Sequence, residues 1–543
     1  MKIWIAQINT KLWDLDHNIH KINDAINKLW PDADVVVFPE MTISWYPLND
    51  LLDDEDLVKK QKTLLYKIRE TVLETRQDLK VILGFIDYNE AEKLPSGEMK
   101  KHNAAAVIWE DIQIYHKQLL PNYDVFFEQR YFAPGKDGLI FKFGKDLVWA
   151  LTICEDIWDD NYENKPIQKY KDKWVDAIFN ISSSPFATWK LKHRKKLLQK
   201  HAKDIWATMV YVNQVWWQDE LVFDGWSMIV DKDNRLINFS PRFQEELKIV
   251  DTNNWTQDYT CELMFEENEK YWNILKAIKM GLKDYLDKTG IKDVVIWVSG
   301  GIDSAVDLFI AAQVLPPERI HAIYMPTQYN SNESRELSQK LCDGLDVDLK
   351  AWEIQDLLKS YENFHQEKLW KKAEWITHEN IQARIRWNIL MWIANDTRWM
   401  VINNSNKTEL AMWYGTLYGD LIWWLWLIGD LNKKEVYELS RYINKKYNKE
   451  VIPEWIINRK ASAELKDNQV DPFDYDKVSD AIEELQFGAN IQKVAEKYDL
   501  DIEEVKAMRK RIKINEFKIR QAPPVIKLKE RSVGIGRLYP IVE

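Results

Sequence analysis

Val294-Val295-Ile296-Trp297-Val298-Ser299-Gly300-Gly301-Ile302-Asp303-Ser304 is an apolar run that breaks into paired glycines and reopens as a helix, expected from about Ser304 to Gln313. Glycine lets backbone N–H groups turn toward an anion, and the positive end of the following helix points at the same place. The hydroxyls of Ser299 and Ser304 add donors without bulk. Asp303 is the odd member, because a carboxylate beside a phosphate makes sense mainly with a divalent cation between them. The stretch therefore predicts a nucleotide triphosphate held through its phosphates with a metal. An ordinary strand-to-helix turn is the alternative that a glycine pair leaves open.

Around this loop, Asp293–Val298, Ile320–Met325, Val347–Ile354 and Met400–Asn404 read as strands alternating with helices. That order favours a doubly wound parallel α/β sheet with its ligand at the strands' carboxyl ends. Residues 472–515 read as helical. Upstream, residues 1–230 show a second α/β alternation: strands at Ile3–Ile8, Asp34–Phe38, Val81–Phe85, Ala104–Trp109, Leu147–Ile153, Val175–Ile181 and Met209–Val215, and helices near His17–Leu29, Leu57–Thr75 and Leu191–Ile205. Periodicity is lost through Asp251–Thr260, so the expected division is a domain over 1–255, a linker over 256–268 and a second domain over 269–543.

Composition narrows the partners. The net charge of −11 argues against nucleic acid or an anionic membrane as a binding surface. Cys154, Cys261 and Cys342 are distant from one another and odd in number, which disfavours a disulfide framework and fits a reducing cytoplasm. Leu421 to Ile428, the longest apolar stretch, is too short to cross a bilayer.

Three contexts in the first half could present a side chain after a strand or turn: Glu40 in Val37-Phe38-Pro39-Glu40, Lys117 in Tyr115-His116-Lys117-Gln118, and Cys154 in Thr152-Ile153-Cys154-Glu155-Asp156. A thiolate attacks an amide carbonyl, a carboxylate takes the thiol proton and passes it to leaving ammonia, and an ammonium stabilises the oxyanion. Taken singly, each also fits a blander role: a buried small hydrophobe for the cysteine, solvated surface for the other two.

In order and context this trio resembles the Glu-Lys-Cys set of the nitrilase, or carbon–nitrogen hydrolase, family across residues 1–230. The resemblance implies a nitrilase-like α/β sandwich, a role for Glu128 beside the lysine, and glutamine contacts from Tyr123, Ser184 and Lys190. The glycine loop resembles the SGGxDS loop of the ATP pyrophosphatases. Glu379–Arg386, Ser405–Glu409, Tyr414–Asp420 and Glu516–Pro524 narrow that likeness to the NAD synthetases. This second resemblance implies that Ser299, Gly300, Gly301, Ile302, Asp303, Ser304 and Asn404 hold ATP, that Asp303 and Glu409 meet Mg2+, and that Asn380, Glu409 and Lys518 lie near deamido-NAD.

A nitrilase-like half joined to an NAD-synthetase-like half resembles the glutamine-dependent NAD synthetases. That family implies substrates glutamine, ATP and deamido-NAD, and a homo-oligomer. Asn404 and Ser405 replace a usual threonine and glycine there. Other expectations are a related glutamine amidotransferase acting on a different acid, or a non-catalytic dinucleotide-binding protein if Trp216-Trp217 and Trp297 block the sites.

Tryptophan outnumbers glycine, 27 to 17, the reverse of ordinary usage. Trp45, Trp216, Trp217, Trp226, Trp297, Trp413, Trp423 and Trp424 stand where turn chemistry or the resembled family asks for glycine, so several are expected in backbone conformations that bulky residues avoid.

Overall fold

The structure is a computed structural model describing residues 2–28, 33–93, 97–143, 147–251, 259, 269–412, 415–421, 424–466, 469–471 and 473–541. The expected linker, apart from Tyr259, lies outside these residues, as do Cys261, Trp413 and Trp423. The chain divides into compact units at 273/274.

The first unit stacks two six-stranded sheets. One runs in the order Glu246–Asp251, Lys2–Gln7, Val35–Val37, Lys80–Lys93, Met99–Ile108, Ile112–His116. The other runs Leu236–Phe239, Met228–Val230, Thr208–Asn213, Ala177–Ser182, Leu147–Ile153, Leu139–Phe143. Parallel pairs lie at the centre of each and antiparallel strands at the edges. Alternation along Lys2–Gln7 shows why the sheets stack. Ile3 and Ile5 join Val35, Trp149, Phe179 and Val210 in the core between the sheets, while Ala6 faces the core made with the helices Leu15–Lys28 and Glu55–Thr75. Helix Lys190–Ile205 covers the other sheet beside Thr208–Asn213.

The second unit holds a five-stranded, wholly parallel sheet in the order Leu349–Ala351, Ile320–Tyr324, Val294–Trp297, Met400–Asn403, Leu425–Trp426. The chain direction of strand addition reverses between Val294–Trp297 and Met400–Asn403, and such a reversal opens a crevice at the strand ends. The glycine loop sits there. The strand expected over Val347–Ile354 shortens to Leu349–Ala351 because Ile354 caps the helix Gln355–Leu369. Residues 475–514 form three helices, Tyr475–Gln486, Ile491–Tyr498 and Ile502–Ile514, which bury Val478, Val494 and Val505 in a cluster of their own with Met412. No helix of the described residues is long and apolar enough to cross a membrane.

Candidate functional site

Glu40, Lys117 and Cys154 come from three different strand ends and meet in one place. Glu40 follows Val35–Val37, Lys117 follows Ile112–His116, and Cys154 follows Leu147–Ile153 directly. Lys117 and Glu40 are each 1% exposed, and the Lys117 Nζ donates to Glu40 Oε1 at 2.9 Å and to Glu128 Oε1 at 2.7 Å. Burial opposes the ammonium, but Glu128 and Glu40 outweigh it and hold Lys117 well above the usual lysine range. Burial raises Glu128 to about 7, against the pull of Lys117. The neighbouring carboxylates thus keep the lysine charged in a setting where an isolated ammonium would lose its proton.

The Glu40 carboxylate is fixed from all sides. Oε1 also accepts from the Asn103 side-chain amide at 2.7 Å, and Oε2 accepts from the Ser183 backbone N–H at 2.7 Å. Cys154 takes φ = 40° as the strand turns into the short helix Cys154–Ile157. That left-handed conformation is costly for a residue bearing a Cβ, and such strain clusters at reacting positions. Burial, then the Glu40 charge, push the thiol well above its ordinary range, with Lys117 opposing. Among the charges that act on the sulfur, the Glu40 carboxylate is the largest.

The expected glutamine contacts are arranged around this trio in different ways. The Tyr123 hydroxyl donates to Glu155 Oε1 at 2.9 Å, and the Lys190 ammonium lies 5.3 Å from the Phe126 ring centre. Tyr123 packs edge-on to the same ring at 5.6 Å. Ser184 is buried, its N–H donating to Asn213 Oδ1 and its hydroxyl accepting from Arg194. Glu128 is 3% exposed and engaged by Lys117 and by the Tyr46 hydroxyl at 2.9 Å.

Asp156 was not singled out in the sequence, where it reads as a loop charge. Fully buried, it accepts from the N–H groups of Gln118 at 3.0 Å, Leu119 at 2.9 Å and Ile153 at 2.9 Å, and from the Tyr115 hydroxyl at 2.8 Å. One carboxylate thereby ties the backbone just after Lys117 to the backbone just before Cys154. Asn103 and Ser183 were also missed, since nothing in their local sequence distinguishes them from strand-end polar residues.

In the second unit, Gly300 takes φ = 80° and Gly301 caps the helix Ile302–Ala312. A Cβ on Gly300 would meet the Ser334 carbonyl oxygen at 2.7 Å, so both space and conformation require glycine. The Ser299 hydroxyl accepts from the Gly301 N–H at 3.2 Å and the Ser304 hydroxyl donates to the Gly301 carbonyl at 3.0 Å, bracing the loop. The cavity above it is lined by residues 299–304, Asn404, Glu409, Lys433 and Arg459. Asn404 donates to the Trp297 carbonyl at 2.6 Å, while its own side-chain oxygen has no partner among the described residues.

Asp303 and Glu409 share one ammonium. The Lys433 Nζ donates to Asp303 Oδ2 and, at 3.0 Å, to Glu409 Oε1, and Asn406 donates to Asp303 Oδ1 at 3.0 Å. Burial raises Glu409 to about 7. In the sequence Lys433 looks like a solvated helix start, and only the structure shows it between the two carboxylates. Lys407, inside a quoted motif, is instead an anchor, donating to Asp430 at 3.0 Å and Glu483 at 2.7 Å. Asn380 stands one hydrogen bond behind the cavity wall, its Oδ1 accepting from the hydroxyl of the lining Thr416 at 2.9 Å, and the Lys518 Nζ donates to the Gly415 carbonyl at 2.6 Å. Burial lowers Lys518 to about 8.

Residues 2–258 match the carbon-nitrogen hydrolase family and residues 274–522 match the NAD synthase family. The fold and the two families define a two-part ligase in which an amide-hydrolysing unit accompanies a nucleotide-using one. Over its whole length the chain is 34% identical to the glutamine-dependent NAD(+) synthetase of Thermotoga maritima, covering 98% of it, and 32% identical to that of Synechocystis, again covering 98%. The structure of glutamine-dependent NAD+ synthetase from Acinetobacter baumannii in complex with ADP superposes with a TM-score of 0.76 at 30% identity, over 99% of this chain and 98% of that one. The chain belongs to the glutamine-dependent NAD(+) synthetases.

Proposed function

We propose that Cys154, Glu40 and Lys117 hydrolyse glutamine, and that the ammonia amidates deamido-NAD at the glycine-loop cavity. Glu40 takes the thiol proton as the sulfur attacks the glutamine carboxamide. Lys117 stabilises the oxyanion, and the C–N bond breaks as Glu40 returns the proton to leaving ammonia. Water, deprotonated by the same carboxylate, then cleaves the thioester to glutamate. In the second unit the nicotinate carboxylate of deamido-NAD attacks the α-phosphorus of ATP, releasing pyrophosphate, and ammonia displaces AMP from the acyl adenylate to give NAD. Ser299 to Ser304 would cradle the phosphates, with Asn404 offering its unpartnered carboxamide oxygen to the nucleotide.

The donor set suits magnesium. Asp303 and Glu409 are hard oxygen ligands that converge on a single cation now supplied by Lys433, and Mg2+ is usually held by one or two carboxylates plus substrate phosphates. When bound, the metal supplies charge neutralisation for the leaving pyrophosphate.

The observation that carries the first half is the Lys117 ammonium suspended between two buried carboxylates beside the strained Cys154. Cys154→Ala tests it. NAD formation from glutamine is expected to be lost while formation from ammonium persists. Loss of both in a folded variant, or retention of both, overturns the assignment.

A further inference from the structure

Positive φ is where a Cβ becomes a liability, and in this chain tryptophan crowds that region. Among the described residues twenty non-glycine positions have positive φ, and seven are tryptophan. Asparagine and aspartate together also account for seven, and only five glycines sit there. Asparagine and aspartate reach the left-handed region with help from local hydrogen bonds; an indole has no such compensation.

Helix ends show the pattern most plainly. Trp206 closes the helix Lys190–Ile205 at φ 59°, ψ 44°, its N–H bonding to the Ala202 carbonyl. Trp370 closes Gln355–Leu369 at φ 58°, ψ 23°, its N–H bonding to the Gln366 carbonyl. Trp174 ends Ile167–Lys173 at φ 52°, ψ 49°. This is the left-handed cap that glycine ordinarily fills. At two of these ends the indole stands largely in solvent, Trp174 being 83% and Trp370 89% exposed, while Trp206 is 60% exposed with the Lys232 ammonium 4.0 Å from its ring.

A buried case points the same way. Trp226 follows Gly225, with φ of 61° and 65°, a pair of successive left-handed residues typical of glycine-rich turns. It is fully buried, yet its indole N–H has no partner among the described residues, against the habit of buried tryptophan. Trp149 shares the unpartnered N–H but stacks on Phe143 at 4.5 Å within a regular strand, so it is backbone conformation that sets Trp226 apart.

We infer that the protein made in its own cell carries glycine where this sequence shows tryptophan at Trp13, Trp174, Trp206, Trp226 and Trp370, because the codon rendered here as tryptophan is read there as glycine.

Tandem mass spectrometry of the protein purified from its own cells decides the matter through peptides spanning residues 190–232 and 355–387. Glycine's residue mass is expected at 206, 226 and 370; tryptophan's mass at 206 or 370 overturns the inference. A second measurement uses the full chain produced from the literal sequence. Replacing both exposed caps, Trp206→Gly with Trp370→Gly, is expected to raise the thermal midpoint by about 2–4 °C. An unchanged or lowered midpoint would mean that neither position asks for glycine.

Discussion

Four donors converge on the Asp156 carboxylate, and three of them are backbone N–H groups through which it ties the loop after Lys117 to the strand end before Cys154. An asparagine keeps the shape but turns one acceptor into a donor facing donors. Asp156→Asn is expected to cut the glutamine-driven kcat by about 10- to 100-fold, since leaving a buried group unsatisfied costs ~1–3 kcal/mol. Ammonium-driven synthesis should be untouched, and parallel assays with the two nitrogen sources check this. Glu128 yields a second expectation. Burial raises it from 4.5 to about 7, so between those values the folded protein binds a proton that the unfolded chain lacks, and stability falls as pH rises through that window. Glu128→Gln removes this titration and should lessen the fall in stability between pH 4.5 and 7 in urea unfolding, the remainder coming from groups such as Glu409, which is raised over the same window. Glu40, Lys117 and Cys154, which the structure brings together, could be singled out in the sequence because their order and context resemble the Glu-Lys-Cys set of the nitrilases. Asp156 and Lys433 were not, because what distinguishes them is the set of partners that folding brings from elsewhere.

Strand, loop and helix act as one device around Gly300. Its φ of 80° and the Ser334 carbonyl 2.7 Å from where a Cβ would stand leave no room for alanine without moving the loop. Gly300→Ala is therefore expected to abolish NAD synthesis from either nitrogen source while glutamine hydrolysis, which belongs to the other unit, stays measurable. Unimpaired synthesis would show that the loop does not hold the nucleotide. The parallel sheet that carries this loop could be read from alternating apolar runs, as could the first helices and most central strands. Strands at Ile112–His116, Leu139–Phe143, Leu236–Phe239 and Glu246–Asp251 escaped, being short edge strands of mixed polarity with at most a few buried residues each. Some punctuation was hidden as well. A helix end is usually announced by glycine, and at the ends of Lys190–Ile205 and Gln355–Leu369 the sequence shows Trp206 and Trp370 instead.

At the scale of the whole molecule, two chemistries share one chain because the product of the first is an awkward reagent for the second. Ammonia released into neutral water is mostly protonated and no longer a nucleophile, so a ligase supplied from solution works against that equilibrium. Two variants separate the halves: Cys154→Ala keeps the ligase unit, and Asp303→Ala, which removes a carboxylate held by Lys433 and Asn406, keeps the glutaminase unit. Mixed in equal amounts with glutamine, ATP and deamido-NAD, they can make NAD only from ammonia that leaves one molecule and enters another. Their rate is expected to fall well below that of the unmutated protein and to climb as pH rises from 7 toward 9, where more of the released ammonia is unprotonated. The unmutated protein should show a weaker pH dependence over that range with glutamine than with added ammonium. A mixture matching the unmutated protein at pH 7 would mean that ammonia passes through solution and that joining the two activities in one chain gives no kinetic gain.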